Sequence, residues 1–307
     1  MKILIELPTW LGDTVMASPA IENLVNHFND VEVTLLGSFV SISALKNHPK
    51  VIKTYVLDKS YINLSKTLKE FGEFDIFVSF RSSLRSKVMK FFISSKSKFQ
   101  FNKGKYKRNH QVEKYNNFVN DSFNINTIAA KLVLHNDNKK ARKNKLLGIN
   151  PGASYGGAKR WYPNEFAHVA ADLSSEYDIV IFGGPGEKDI AKDIENYLIE
   201  QGIHNYQNLA SQTSIDELII QISKLDLFIT GDSGPMHLAA AFQVPTVSIF
   251  GPTNDSETSQ WMNKKSIIIK KNLACQPCMK RTCPLKHHNC MKLIKASDVL
   301  EAVQKLN

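Results

Sequence analysis

Five stretches of this 307-residue chain carry side chains able to do chemistry. The first, Pro8-Thr9-Trp10-Leu11-Gly12-Asp13-Thr14, joins an apolar strand to a helix. Gly12 can take turn conformations that are costly to other residues. Asp13 then serves either as a helix N-cap or as a general base at the edge of a cleft, kept ionised by the helix terminus. The stretch is not Gly-x-Gly-x-x-Gly, which argues against a nicotinamide enzyme.

The second stretch, Asn150-Pro151-Gly152-Ala153-Ser154-Tyr155-Gly156-Gly157-Ala158-Lys159-Arg160-Trp161, places three glycines and then Lys-Arg after a strand. Such a loop is either a plain surface turn or a phosphate cradle that offers backbone N–H groups and an ammonium. It lacks the Gly-Lys-Ser/Thr ending of a nucleotidase loop, which argues against ATP hydrolysis. The third, Gly183-Gly184-Pro185-Gly186-Glu187, sets an acid at a strand end, either as a first-turn helix acid or as an acceptor for ribose hydroxyls.

The fourth is the sharpest: Thr230-Gly231-Asp232-Ser233-Gly234-Pro235-Met236-His237-Leu238-Ala239-Ala240-Ala241. A strand, a tight turn and a small-residue helix with proline at its first positions form an anion site of exposed amides, a hydroxyl and a positive helix end. His237 is on that same end, with structure and binding equally open to it. Ser233 is not in a Gly-x-Ser-x-Gly elbow, which argues against a serine nucleophile. The fifth, Cys275-x2-Cys278-x4-Cys283-x6-Cys290 with His287 and His288 inside, is a candidate structural zinc site. Because it holds one C-x2-C pair only, free thiols in a packed loop are the favoured alternative.

The elements that must position these residues are legible as short β-branched or aromatic runs alternating with helical patterns. Strands are predicted at 2–7, 31–36, 51–57, 74–80, 146–150, 178–182, 225–230, 246–250 and 266–270. Helices fall near 19–29, 61–71, 83–93, 112–122, 164–176, 187–200, 214–223 and 235–242. Near-continuous apolar strands between helices imply buried parallel sheets. The reading is α/β: two doubly wound lobes facing a central cleft, 1–145 and 146–295, with a Lys/Asn-rich linker near 136–145. Residues 296–307 are an amphipathic helix and a candidate to pack back on the first lobe.

Hydrophobic residues at 43% and charged residues at 22% exclude a disordered chain. No apolar run reaches the roughly 20 residues of a spanning helix. Glu6 inside the first apolar stretch argues against a signal peptide. Four cysteines, all between 275 and 290, fit a reducing compartment. The net charge of +10 divides as +12 over 1–147 and −2 over 148–307. Residues 81–108 hold ten Lys/Arg and no Asp or Glu, with phenylalanines interleaved. This block is either a solvated face or a surface for a bulky anionic partner.

Taken together, Pro8-Thr9-Trp10-Leu11-Gly12-Asp13-x-Val15-Met16-x-x-Pro19, Pro151-Gly152-Ala153 with Gly157–Trp161, and Asp232–Ala241 with Phe250-Gly251-Pro252-Thr253 resemble the ADP-heptose:lipopolysaccharide heptosyltransferases of glycosyltransferase family nine. The cysteine stretch looks like that of the type II members. The resemblance implies a GT-B fold of two Rossmann-like lobes, the first for acceptor and the second for sugar nucleotide. It implies inverting transfer of heptose from ADP-heptose to the first heptose of the inner core, with no cofactor. Asp13 is then the catalytic base and Lys159 the phosphate-binding group. Glu187 is the ribose acid, and Gly12, Ser154, Asp232, Ser233, Gly234 and His237 join Lys159 at the donor. Arg81, Arg85 and Lys87 are acceptor candidates by charge alone. The implied partner is a heptosyl-Kdo-lipid A type acceptor, met from the cytoplasm at the inner face of the inner membrane. Competing readings are a type I enzyme acting on Kdo-lipid A, a sugar-nucleotide epimerase of the same fold, and a basic zinc protein binding nucleic acid. The glycine loops and Asp232–Ala241 speak against the last, and no nucleic-acid partner is expected.

Overall fold

The computed structural model describes residues 1–57, 71–136 and 144–306. The helix read near 61–71 and most of the linker therefore lie outside the described residues. The chain forms two compact units, 1–136 and 137–307.

In the first unit an all-parallel sheet runs in the order β3-β2-β1-β4-β5. Its strands are β1 (Lys2–Glu6), β2 (Glu32–Gly37), β3 (Val51–Val56), β4 (Phe74–Ser79) and β5 (Ser95–Gln100). Helices α1 (Leu11–His27), α2 (Phe39–Leu45), α3 (Leu84–Phe92) and α4 (Gln111–Phe123) accompany it. Strand β1 is central, flanked by β2 and β4. Ile3, Leu4 and Ile5 are accordingly buried without alternation, as a strand covered on both faces requires.

Helix α1 begins at Leu11, well before the predicted start, so Pro19 is inside it. Proline lacks the N–H that would bond the Val15 carbonyl. The Ser18 hydroxyl donates to that carbonyl at 2.7 Å instead. Ser18 also accepts from Val133 N–H, tying the stretch before the linker to α1.

The second unit is a six-stranded parallel sheet in the order β11-β10-β9-β6-β7-β8. The strands are β6 (Lys145–Asn150), β7 (Tyr177–Ile181), β8 (Tyr206–Asn208), β9 (Leu227–Gly231), β10 (Thr246–Ile249) and β11 (Ser266–Ile269). The helices are α5 (Pro163–Leu173), α6 (Lys188–Glu200), α7 (Ile215–Ser223), α8 (Gly234–Ala241), α9 (Asp255–Thr258), α10 (Asn289–Lys292) and α11 (Ala296–Leu306). The order in which strands are added switches sides at the parallel β6/β9 pair, and doubly wound sheets bind ligands beyond the strand ends at such a point.

Helix α11, the candidate for a return to the first lobe, is instead part of the second unit. Its Val299, Ala302 and Val303 share a core with Phe166, Ala170 and Val247. The Glu165 carboxylate fixes its start, accepting from Ala296 N–H and Lys295 Nζ. Burying this apolar stripe on the nearest open sheet face removes it from water with no long crossover.

Candidate functional site

The end of β6 and the end of β9 meet at the switch point, and their polar groups interlock. Asn150 Nδ2 donates to Thr230 Oγ1 and to Ser233 Oγ, each at 3.2 Å. This network occupies the Ser233 hydroxyl, so no side chain caps α8. Pro235 in the first turn brings no N–H. The start of α8 therefore has backbone N–H groups with no side-chain cap, the arrangement that an anion site uses.

Lys159 reaches this place from a short 3₁₀ turn over Gly157–Lys159. Its ammonium lies 2.6 Å from Asp232 Oδ2 and 5.0 Å from the centre of the Tyr155 ring. Asp232 also accepts the Thr253 hydroxyl at 2.6 Å. Both charged side chains are mostly shielded from water, which strengthens their attraction. Ser154 is exposed on the same loop. His237 is buried in the first turn of α8, one turn from Ser233.

Glu187 is 7% exposed and has its carboxylate turned into its own loop. Gly184 N–H donates to Oε2 at 2.6 Å, and Arg160 Nη2 lies 3.4 Å from Oε1. The carboxylate thereby closes the short turn that opens α6. Gly152 is required beside it, because a Cβ there would stand 2.4 Å from Glu187 Cγ. Arg160 Nε is buried and has no partner among the described residues, a donor ready for a ligand oxygen.

Asp13 and Gly12 sit in the first unit, both inside α1. Gly12 is helical and not a left-handed turn residue; among the described glycines positive φ occurs at Gly156 and Gly202. Trp10 is the N-cap, so Asp13 is a first-turn residue and not the cap. It is half-buried. Tyr115 on α4 hydrogen-bonds to its carboxylate; burial first, then the Asp13 charge, holds that phenol well above its ordinary range. Tyr115 is thus a fixed, protonated donor to the candidate base, a partner 102 positions away that strand-to-helix spacing gave no means of finding.

The basic block divides by task. Arg81 lies 3.4 Å from Glu6, which is fully buried at the end of β1 and also accepts from Ser79 and Ser86. Burial pushes the Glu6 carboxyl up, against those hydrogen bonds and against Arg81 and Arg85. Arg81 is therefore paired with Glu6, the Arg85 charge also favours that carboxylate, and Lys87 is exposed. None of the four cysteines is in a disulfide.

Residues 63–289 match glycosyltransferase family 9 (heptosyltransferase). The chain is 44% identical to lipooligosaccharide heptosyltransferase 2 of Campylobacter jejuni, over 100% of this chain and 98% of that protein. It is 25% identical to lipooligosaccharide heptosyltransferase 2 of Haemophilus influenzae, over 87% and 88% of the two chains. In fold it is similar to Escherichia coli ADP-heptose LPS heptosyltransferase II, with TM-score 0.84 and 21% identity over 100% and 98% of the chains. The two parallel-sheet lobes are those of the GT-B architecture, and this chain belongs to glycosyltransferase family 9, the heptosyltransferases.

Proposed function

We propose that this glycosyltransferase moves heptose from ADP-L-glycero-D-manno-heptose onto the first heptose of the lipooligosaccharide inner core, with inversion. The acceptor hydroxyl attacks C1 of the donor, the bond from C1 to the ADP oxygen breaks with its electron pair going to ADP, and Asp13 takes the hydroxyl proton. Tyr115 keeps the Asp13 carboxylate oriented. The leaving diphosphate needs charge stabilisation and no protonation. Lys159, Arg160, the Ser233–Gly234 amides and the α8 terminus supply it from fixed positions. Glu187, Ser154, Gly12, Asp232 and His237 complete the donor's surroundings in this reading, Glu187 through the ribose.

The observation that carries the proposal is the convergence of the Lys159 ammonium on the uncapped start of α8 at the switch point of the second sheet. Its test is incubation of pure protein with ADP-heptose and inner-core acceptors bearing zero, one or two heptoses, read by mass. A gain of one heptose on the mono-heptosylated acceptor is expected. Transfer to the acceptor lacking heptose, or release of free sugar without acceptor, overturns it.

The acceptor's lipid brings in α3. That helix exposes Leu84 (76%), Phe91 (79%) and Phe92 (64%) beside Lys87, with Lys96 and Lys98 following on β5. Apolar wedges among cations fit an anionic bilayer surface, where the acceptor resides, better than they fit free water.

A further inference from the structure

The cysteine segment of the second unit has a structural setting that its spacing alone does not reveal. All four cysteines line one small cavity, together with Ala158 and Pro252. Cys290 at the start of α10 is buried, and the other three are half-buried. Three non-glycine residues of the segment, Met279, Lys286 and His288, hold left-handed backbone conformations. Each is costly alone and persists where the surroundings over-determine it.

The two neighbouring histidines are excluded as ligands by their hydrogen bonds. His287 Nδ1 accepts from Asn289 N–H, so its proton is on Nε2. His288 spends Nε2 on the Ala158 carbonyl and Nδ1 on the Tyr162 hydroxyl. What is left facing the cavity is a pure sulfur set. Cys283 Sγ already accepts a backbone N–H, from His288, the kind of outer contact that supports a bound thiolate.

Elsewhere among the described residues, Glu22, His48 and His135 bring three potential ligand atoms within 4.8 Å of one another. That triad is a poorer candidate. Lys50 N–H donates to His48 Nδ1 at 3.0 Å, which leaves the His48 proton on the very nitrogen that a metal would need.

We infer that Cys275, Cys278, Cys283 and Cys290 bind one thiophilic metal ion, zinc or iron, in a four-thiolate site that braces the donor loop. Four sulfurs around such an ion stand about 3.8 Å apart, as metal–sulfur bonds of about 2.3 Å require. Binding therefore draws the four inward around the cavity and releases their protons. The brace follows from the segment's contacts. Arg281 O accepts from Ala158 N–H at 3.0 Å, Met279 O accepts from the Tyr155 hydroxyl at 2.9 Å, and His288 holds the Ala158 carbonyl. Gly156 passes so close that a Cβ on it would stand 2.5 Å from Arg281 O. Fixing the cysteine segment thus fixes residues 155–158, and with them Lys159.

The test begins with metal analysis of the full chain purified without chelators or affinity metal. About one equivalent of zinc or iron per chain is expected, iron being distinguished by its visible thiolate charge-transfer absorption. Substituting Co²⁺ into the protein should give the intense visible bands of tetrahedral sulfur coordination. In the intact holoprotein all four thiols should resist a thiol reagent, and after chelation all four should react. That comparison uses the unaltered sequence and stays informative even where Cys278→Ser/Cys283→Ser fails to fold. If the double variant folds, it should lose the metal. Absence of metal together with failure to take up Zn²⁺ or Co²⁺, or metal retained by the folded double variant, overturns the site. The bracing role rests on the donor reading above and is read separately: chelation should weaken ADP binding about tenfold, or about 1.4 kcal/mol. An unchanged ADP affinity with metal bound at one equivalent overturns the brace alone and leaves the site standing.

Discussion

The ammonium of Lys159 and the carboxylate of Asp232 lie 2.6 Å apart, side chain against side chain beside the start of α8. Under the proposed function Asp232 is a placeholder, holding the cation where a diphosphate would meet it. The arriving donor then shares this ammonium, and the Thr253 hydroxyl holds the acid in place. Lys159→Ala should raise the ADP dissociation constant by roughly 10–100-fold, the range of a lost hydrogen bond to a charged group. Turnover should fall about 10²–10³-fold. Calorimetric titration with ADP checks the first, and an unchanged constant removes Lys159 from the donor site.

Asp232→Asn separates the acid's structural work from the lysine's binding work. It leaves a mostly buried ammonium without its counter-charge, which destabilises by about 3–5 kcal/mol when burial is complete and by less here. A drop in melting temperature that saturating ADP partly restores is expected. A variant as stable as the parent would mean that the pair is energetically idle.

Asp13→Asn should lower transfer by about 10²–10⁴-fold, the usual contribution of a positioned base, with ADP affinity unchanged. Tyr115→Phe removes only a donor to that carboxylate, so it should cost less. Losing a hydrogen bond to the charged form disfavours that form, so the acid limb of the pH–rate profile should move to higher pH. A profile that falls in height without moving would assign Tyr115 to packing alone.

Glu22 gives the first unit a pH-dependent tie. Burial pushes its carboxyl up, but hydrogen bonds from His48 and His135 outweigh this and hold it below its ordinary value. A carboxyl depressed on folding contributes stability that is complete above its unfolded value, near 4.5, and is lost as pH falls through the folded one. Glu22→Gln should therefore lower the melting temperature at pH 7, with the gap closing below about pH 4. A gap independent of pH would show that charge is not involved.

Replacing Phe91 and Phe92 on α3 with serine should reduce sedimentation with anionic vesicles and leave turnover on a short soluble heptoside intact. Both residues are exposed, so folding should not suffer. Equal losses on lipid-borne and soluble acceptors would return this face to ordinary solvent contact.

The central strands were legible because each is sealed on both faces: Leu147 and Ile149 on β6, and Phe228 and Ile229 on β9, are fully buried and read as unbroken apolar runs. Strand β5 was missed because SKSKFQ sits at a sheet edge, where half-exposed lysines and serines erase the apolar signal. Helix α2 was missed because serines dilute its pattern. The start of α1 was misplaced at Pro19, whose lost backbone bond Ser18 replaces locally, a compensation that propensity does not encode. At the site, the glycine loops and the Asp232 turn were readable from their chemistry. The Lys159–Asp232, Arg81–Glu6 and Tyr115–Asp13 pairings join distant positions, and only the folded chain discloses them.

Trp161 stands two residues beyond Lys159, 2% exposed, with its indole N–H donated to the Ile294 carbonyl and its ring against Phe166. Trp10, by contrast, is 56% exposed, and the third tryptophan, Trp261, is half-buried, so replacing it with phenylalanine leaves one open and one sealed indole. A water-borne quencher such as iodide silences the open indole first and spares the sealed one. The molecule thus carries a native optical gauge two residues from Lys159, and loosening of that loop is readable from residual emission without any dye.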